Sequence, residues 1–198
     1  MIINEKGILK QMKEAARGKG YEVGIREVGE GAEFITIHGQ GWSVDTTREF
    51  MPRSVLALIV QHCGFIPEAG TVYKVTKHMG AESEIPAEFW AASLEATAAC
   101  EGWMENRDLE TKFSGLTYND ETALLVNRAG KMIPVKVDHL SIASAMTRMQ
   151  SDGNLLVFNG AVSMVFVSRQ AMDANRLDYL ERIGKAIKLQ WDTEESGE

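Results

Sequence analysis

Cysteine is nearly absent from this chain of 198 residues, with only Cys63 and Cys100 present. Two thiols without a spaced framework supply neither a disulfide scaffold nor a zinc knuckle. Both sit in apolar or Ala-rich stretches, so they read as small buried hydrophobes in a reducing compartment. Long apolar runs are missing too: Val55–Val60 and Ala161–Val167 are the longest and fall far short of a membrane span. The opening MIINEKGILKQMKEAARGKG lacks the apolar core of a signal peptide. The expectation from these absences is a cytoplasmic protein that does not span a membrane.

Named chemical motifs are also wanting. The sequence has no G-x-x-x-x-G-K-[ST], no G-x-G-x-x-G between a strand and a helix, and no G-x-S-x-G elbow. The histidines His38, His62, His78 and His139 show no H-x-x-x-H spacing, so no metal site is called, and neither cysteine has the setting of an activated nucleophile. No catalytic residue and no cofactor is called. A formal net charge of −7 argues against a generic nucleic-acid coat.

What is present is an ordinary globular composition, with 44% hydrophobic and 25% charged residues. Residues 5–17 place Ile8, Leu9, Met12, Ala15 and Ala16 on one face of an amphipathic helix. Tyr21–Val28 alternates as a half-buried strand. Phe34, Ile35 and Ile37 form a second strand, Gly39-Gln40-Gly41 reverses the chain, and Trp42-Ser43-Val44 continues as a third. A helix follows, with Pro52 in its first turn and Val55–Val60 apolar on every side, which predicts burial on more than one flank. Val72–Val75 is the next strand, and His78–Pro86 reads as a linker.

Glu88–Cys100, rich in Ala with Phe89, Trp90 and Leu94, predicts a helix, while Glu101–Lys112 has no clear assignment. Strands are expected over Phe113–Tyr118, Ala123–Val126 and Met132–Val137, then a helix over His139–Met149. Leu155–Phe158 and Val162–Val167 are joined by Asn159-Gly160, a two-residue hairpin signal. A helix over Asn175–Leu189 precedes Trp191 and an acidic, frayed end.

The strand, Gly-bearing turn and strand of Ile35–Asp45 recur in Leu124–Val135, each followed by a helix and a β-rich run. Order matches better than identity does, so duplication and chance recurrence both stand. The fold class is α+β, antiparallel sheet with packed helices and two ββαβ units that could be related, arranged as an N-terminal unit over 1–80, a helical connector over 81–112 and a C-terminal unit over 113–198, with packing as one domain the alternative.

One loop carries the functional expectation. Asp45, Arg48, Glu49 and Arg53 lie between a strand and a helix start, where ligand-binding loops often sit, and Arg48 and Arg53 could form a fork for an acidic or phosphate ligand. The turn that ends on Trp42 could bring backbone N–H groups and His38 to the same anion. The candidate ligand-binding set is therefore His38, Trp42, Asp45, Arg48 and Arg53. Helix capping and a solvated charge cluster would use the same loop residues.

The run Met51–Gly70, MPRSVLALIVQHCGFIPEAG, resembles small proteins of prophages and mobile elements of clostridial gut bacteria, a group with no assigned activity. Gly20-Tyr21 and the Trp42 strand share that resemblance, which covers residues 1–80 best. It implies an accessory protein of a phage or mobile element, acting in the bacterial cytoplasm, and carries over no functional residue. The leading expectation is a non-enzymatic binding protein that engages a host protein or a small anionic ligand, with an anti-defence role conceivable. The alternatives are a nucleotide- or phosphate-directed enzyme or ligand sponge, and a structural phage component that self-assembles as a homo-oligomer.

Overall fold

The computed structural model describes residues 2–29, 31–83, 86–100, 102–144, 147–187 and 189. Helix α1 spans Glu5–Arg17. Asn4 caps it, its side-chain oxygen accepting from the backbone N–H of Lys6 and Gly7, and Glu5 in the first turn faces the positive end of the helix dipole. Ile8 and Met12 are fully buried on its inner face, which contributes roughly 1.5–3 kcal/mol per side chain.

The chain continues as strands β1 (Tyr21–Val28), β2 (Ala32–Gly39) and β3 (Trp42–Thr47), helix α2 (Arg53–Cys63), and strands β4 (Val72–Thr76) and β5 (Met79–Glu82). Helix α3 (Pro86–Ala99) leads through two short 3-10 turns into β6 (Glu110–Tyr118), β7 (Thr122–Asn127) and β8 (Met132–Lys136). The one-turn helix α4 (Val137–Leu140), strands β9 (Met149–Ser151), β10 (Leu155–Asn159) and β11 (Ser163–Ser168), and helix α5 (Ala174–Ala186) complete the described elements. The α+β class is as expected, with helices packed on antiparallel sheet.

All eleven strands join one sheet in the order β5-β4-β1-β2-β3-β11-β10-β9-β6-β7-β8. The order β5-β4-β1-β2-β3 is repeated as β10-β9-β6-β7-β8. In each half a helix connects the third strand to the fourth. Strand β11 is the addition that joins the halves, pairing Val165 with Val44 on one side and with Phe158 on the other. The echo seen between Ile35–Asp45 and Leu124–Val135 is thus a match of topology.

Residues alternate across the sheet. Val23, Ile37, Val44, Val165 and Phe158 face α1 and α2, in one apolar core that reaches Leu125 and Ile133 in the second half. The opposite face carries Gly24, Thr36, Asp45, His38 and Phe166, and α3 runs across it. The rings of Phe89 and Trp90 lie where a Cβ on Gly24 would stand 2.7 Å from them. Helix α5 covers Leu124, Val126 and Met132 on the same face.

Four local expectations are corrected. Helix α2 is amphipathic: Val55, Leu58, Ile59 and His62 are buried, while Val60 is 40% exposed. His78–Pro86 is no linker, since it holds the edge strand β5, whose four residues, Met79–Glu82, are too few to show a period in the sequence. His139–Met149 is not a helix; α4 stops at Leu140 because the chain then bonds to the N-terminal segment, Asn4 N–H donating to the Ile142 carbonyl and Ser144 N–H to that of Ile2. Met146 lies outside the described residues, as do Trp191 and the acidic end. The β10–β11 reversal falls two residues later than expected: Asn159 pairs with Met164 and Gly160 N–H donates to the Ser163 carbonyl, which puts the turn on Ala161-Val162. The unassigned stretch 101–112 supplies the 3-10 turns Trp103–Glu105 and Arg107–Leu109 and the start of β6.

Candidate functional site

At the end of β3 the chain makes a 3-10 turn over Arg48–Phe50, then extends through Met51 and Pro52 into α2. This path opens a cleft of about 650 Å³ between the β2–β3 end of the sheet and the first turn of α2. Arg48 and Arg53 both line it, with Glu33 and Glu49. Phe50, Met51, Leu56 and Val162 supply apolar walls, and Phe50 and Val162 remain 47% and 37% exposed.

The two arginines differ in their partners. Arg48 Nη1 donates to Glu33 Oε2 at 2.5 Å, across exposed side chains, so its charge is partly answered. The exposed guanidinium of Arg53 has no hydrogen-bond or ion-pair partner among the described residues. Pro52, at the N-cap of α2, offers no side-chain cap, and Ser54 in the first turn donates to the Glu5 carboxylate at 2.5 Å. Thr47 also lines the cleft, and its hydroxyl oxygen is buried without a hydrogen-bond partner among the described residues.

The remaining candidate residues lie elsewhere. Trp42 is 5% exposed and packs in the main core, its ring against Gly39. His38 points to the other face, 4.5 Å from the Phe89 ring, and burial pushes its imidazole pKa down to about 4. Both border a small cavity of about 200 Å³ beneath α3 that Ala92 and Ala96 close. Asp45 is buried on that face, where its carboxylate accepts from Thr36 Oγ1 at 3.0 Å and from Arg26 Nη2 at 3.2 Å. Burial raises its pKa, and the Arg26 charge and the two hydrogen bonds oppose that rise. The structure therefore brings Arg48 and Arg53 together and keeps His38, Trp42 and Asp45 out of their cleft.

Two features had little or no signal in the sequence. Val162 reaches the cleft from the β10–β11 connection, more than a hundred residues away, and only strand order reveals that. Arg26, on β1, meets Asp45 because both side chains leave the same sheet face; alternation within β1 and β3 is the only sequence clue. Asp138 pairs with Lys10 at 2.7 Å, and His139 packs beside Gly41. Among the described residues no group of three or more His, Cys, Asp or Glu is placed to hold a metal. No helix among them is long and apolar enough to cross a membrane.

No protein-family model matches the chain. No curated protein matches it either. Among solved structures it is similar to the DNA polymerase sliding clamp from Bacillus subtilis, at 6% sequence identity and a TM-score of 0.37. That match covers 87% of this chain and 64% of the clamp chain, so this chain spans less than two thirds of the clamp's length. A likeness at that level carries no functional weight.

Proposed function

We propose that this chain is a non-enzymatic binding protein and that its ligand is a small organic anion held in the cleft at the start of α2. The observation that carries the reading is Arg53: an exposed guanidinium without a partner among the described residues, on the wall of a 650 Å³ cleft. A guanidinium recognises carboxylate or phosphate by paired N–H donors, and Arg48 can add a second fork from the same wall. Phe50, Leu56 and Val162 would take an apolar or aromatic portion of the ligand, and the volume lies in the range of small-molecule sites.

Within the cleft the ionisable side chains are two arginines and two glutamates, and one glutamate already pairs with Arg48. That set suits capture of an anion better than proton transfer, which supports binding over catalysis. The resemblance of Met51–Gly70 to clostridial prophage proteins adds an accessory role in a phage or mobile element. Under that role, sequestering a host metabolite is the simplest action.

The test is native mass spectrometry of the purified chain, followed by thermal-shift screening against nucleotides and aromatic or aliphatic carboxylates. A co-purified or stabilising anion whose effect disappears in Arg53→Ala supports the proposal. An unchanged response in that variant rules out the cleft.

A further inference from the structure

The far end of α2, about 14 Å along the helix from Arg53 at 1.5 Å per residue, holds a pair of histidines that the cleft does not use. His62 is 7% exposed in the last turn of α2, and its Nδ1 hydrogen-bonds with the buried Tyr21 hydroxyl at 2.9 Å. Its other nitrogen, Nε2, faces Nδ1 of His78 at 3.4 Å. His78 sits in the two-residue turn between β4 and β5, where Thr76 pairs with Met79.

That turn is unusual in its residues. Lys77 and His78 both take left-handed backbone, with φ of 50° and 62°, in a turn that ordinarily selects Asn-Gly. Non-glycine residues held in that region cost free energy, and such outliers gather at functional positions. The hairpin also lies close against α2: a Cβ on Gly80 would stand 2.6 Å from Cys63 Sγ and 3.2 Å from its Cα. The fold therefore tolerates conformational strain to hold His78 against His62.

We propose that His62 and His78 form a two-ligand transition-metal site, occupied by zinc, with Nε2 of His62 and Nδ1 of His78 as ligands. Two imidazole nitrogens bound to one tetrahedral zinc stand about 3.3–3.4 Å apart, given zinc–nitrogen bonds of about 2.0–2.1 Å. The observed 3.4 Å matches that edge and is long for a direct nitrogen–nitrogen hydrogen bond. The same geometry puts the ring centroids about 5.2 Å apart, against 5.4 Å here, and the rings are tilted by 56° rather than stacked. The Tyr21 hydroxyl then acts as the outer partner that fixes the His62 ring, accepting from Nδ1–H and leaving Nε2 with its lone pair.

Because His78 is exposed, the remaining coordination positions open to solvent and take water or a donor from a bound molecule. An open site of this kind exchanges its metal. The site differs from the anion cleft in place and ligand, so either can fail without the other.

The test uses the untagged full chain, stripped with a chelator and titrated with zinc chloride by isothermal calorimetry, with nitrogen-15 spectra of the histidine side chains recorded alongside. The expected result is one zinc per chain, with shifts at His62 and His78 and not at His38 or His139. His78→Asn keeps a residue that tolerates left-handed backbone, so the hairpin survives, and it should weaken zinc at least tenfold. Tyr21→Phe should weaken it by about tenfold through loss of the outer partner. No zinc heat in the wild type, equal affinity in His78→Asn, or shifts spread over all four histidines would overturn the proposal.

Discussion

Arg48 donates to Glu33 at 2.5 Å, and that hydrogen bond sets the character of the cleft. With Arg48 tied to the end of β2, the charge proposed for binding is that of Arg53, which starts α2 and meets no partner among the described residues. One arginine shapes the wall and the other is left to act.

The apolar half of the cleft can be tested apart from its charge. Phe50→Ser and Val162→Ser should each weaken an anionic ligand with an aromatic body by roughly 3- to 10-fold, the scale of the apolar area that one half-exposed side chain buries against a ligand. Neither should move the melting temperature by more than about 1–2 °C, since both side chains are substantially exposed when free. Calorimetric titration of each variant reads the first effect and a thermal scan the second.

Asp45 should matter for stability. Its carboxylate sits beside Arg26 on the sheet face under α3, and Arg26 has a side-chain exposure of 23%. Removing one partner of a buried pair leaves the other uncompensated, so Arg26→Ala should cost about 3 kcal/mol. Asp45→Asn, which retains an acceptor for Thr36, should cost less. Urea unfolding of both variants checks the order.

How much of this can be read from the sequence follows the range of each interaction. The spans of α1 and β1 are legible to the residue, because period is local: the Ile8–Ala16 face and the Tyr21–Ile25 alternation suffice. Helix α4 is not, because the chain after Leu140 bonds to the N-terminal segment instead of continuing its own helix. Strand β5 has too few apolar residues to announce itself. The loop Asp45–Arg53 stands out by its charge and position, and its two arginines do share a cleft. Asp45 groups with them only by nearness in sequence, since alternation in β3 sends it to the opposite face from Trp42 and toward Arg26.

Gly7 is where α1 crosses the chain after α4. A Cβ there would stand 1.8 Å from the Ser141 carbonyl oxygen, which is backbone and cannot swing away. Gly7→Ala, ordinarily a helix-stabilising change, should instead destabilise by about 2–3 kcal/mol. For a chain of this length that is a fall of roughly 5–10 °C in melting temperature. A rise would show that α1 does not sit against Ser141.

Acid should loosen the packing of α3 on the sheet. His38 titrates near 4 in the folded chain, while an unfolded histidine titrates near 6.5, so between those values only the unfolded chain takes up the proton. Stability from this group is complete above pH 6.5 and is lost as pH falls through about 4. The loss is on the order of 1–3 kcal/mol. His38→Phe should flatten the stability curve over that window, measured by urea midpoints from about pH 7 to pH 4.

The central claim is that Arg53 captures an anion at the start of α2, and the direct measurement is comparative calorimetry with the best anion from the screen. Arg53→Ala should lower its affinity at least tenfold, and Arg48→Ala, whose charge is already shared with Glu33, by a smaller factor. Both variants should keep the wild-type melting temperature within about 2 °C, as exposed positions do. Equal affinity in Arg53→Ala and wild type would contradict the claim.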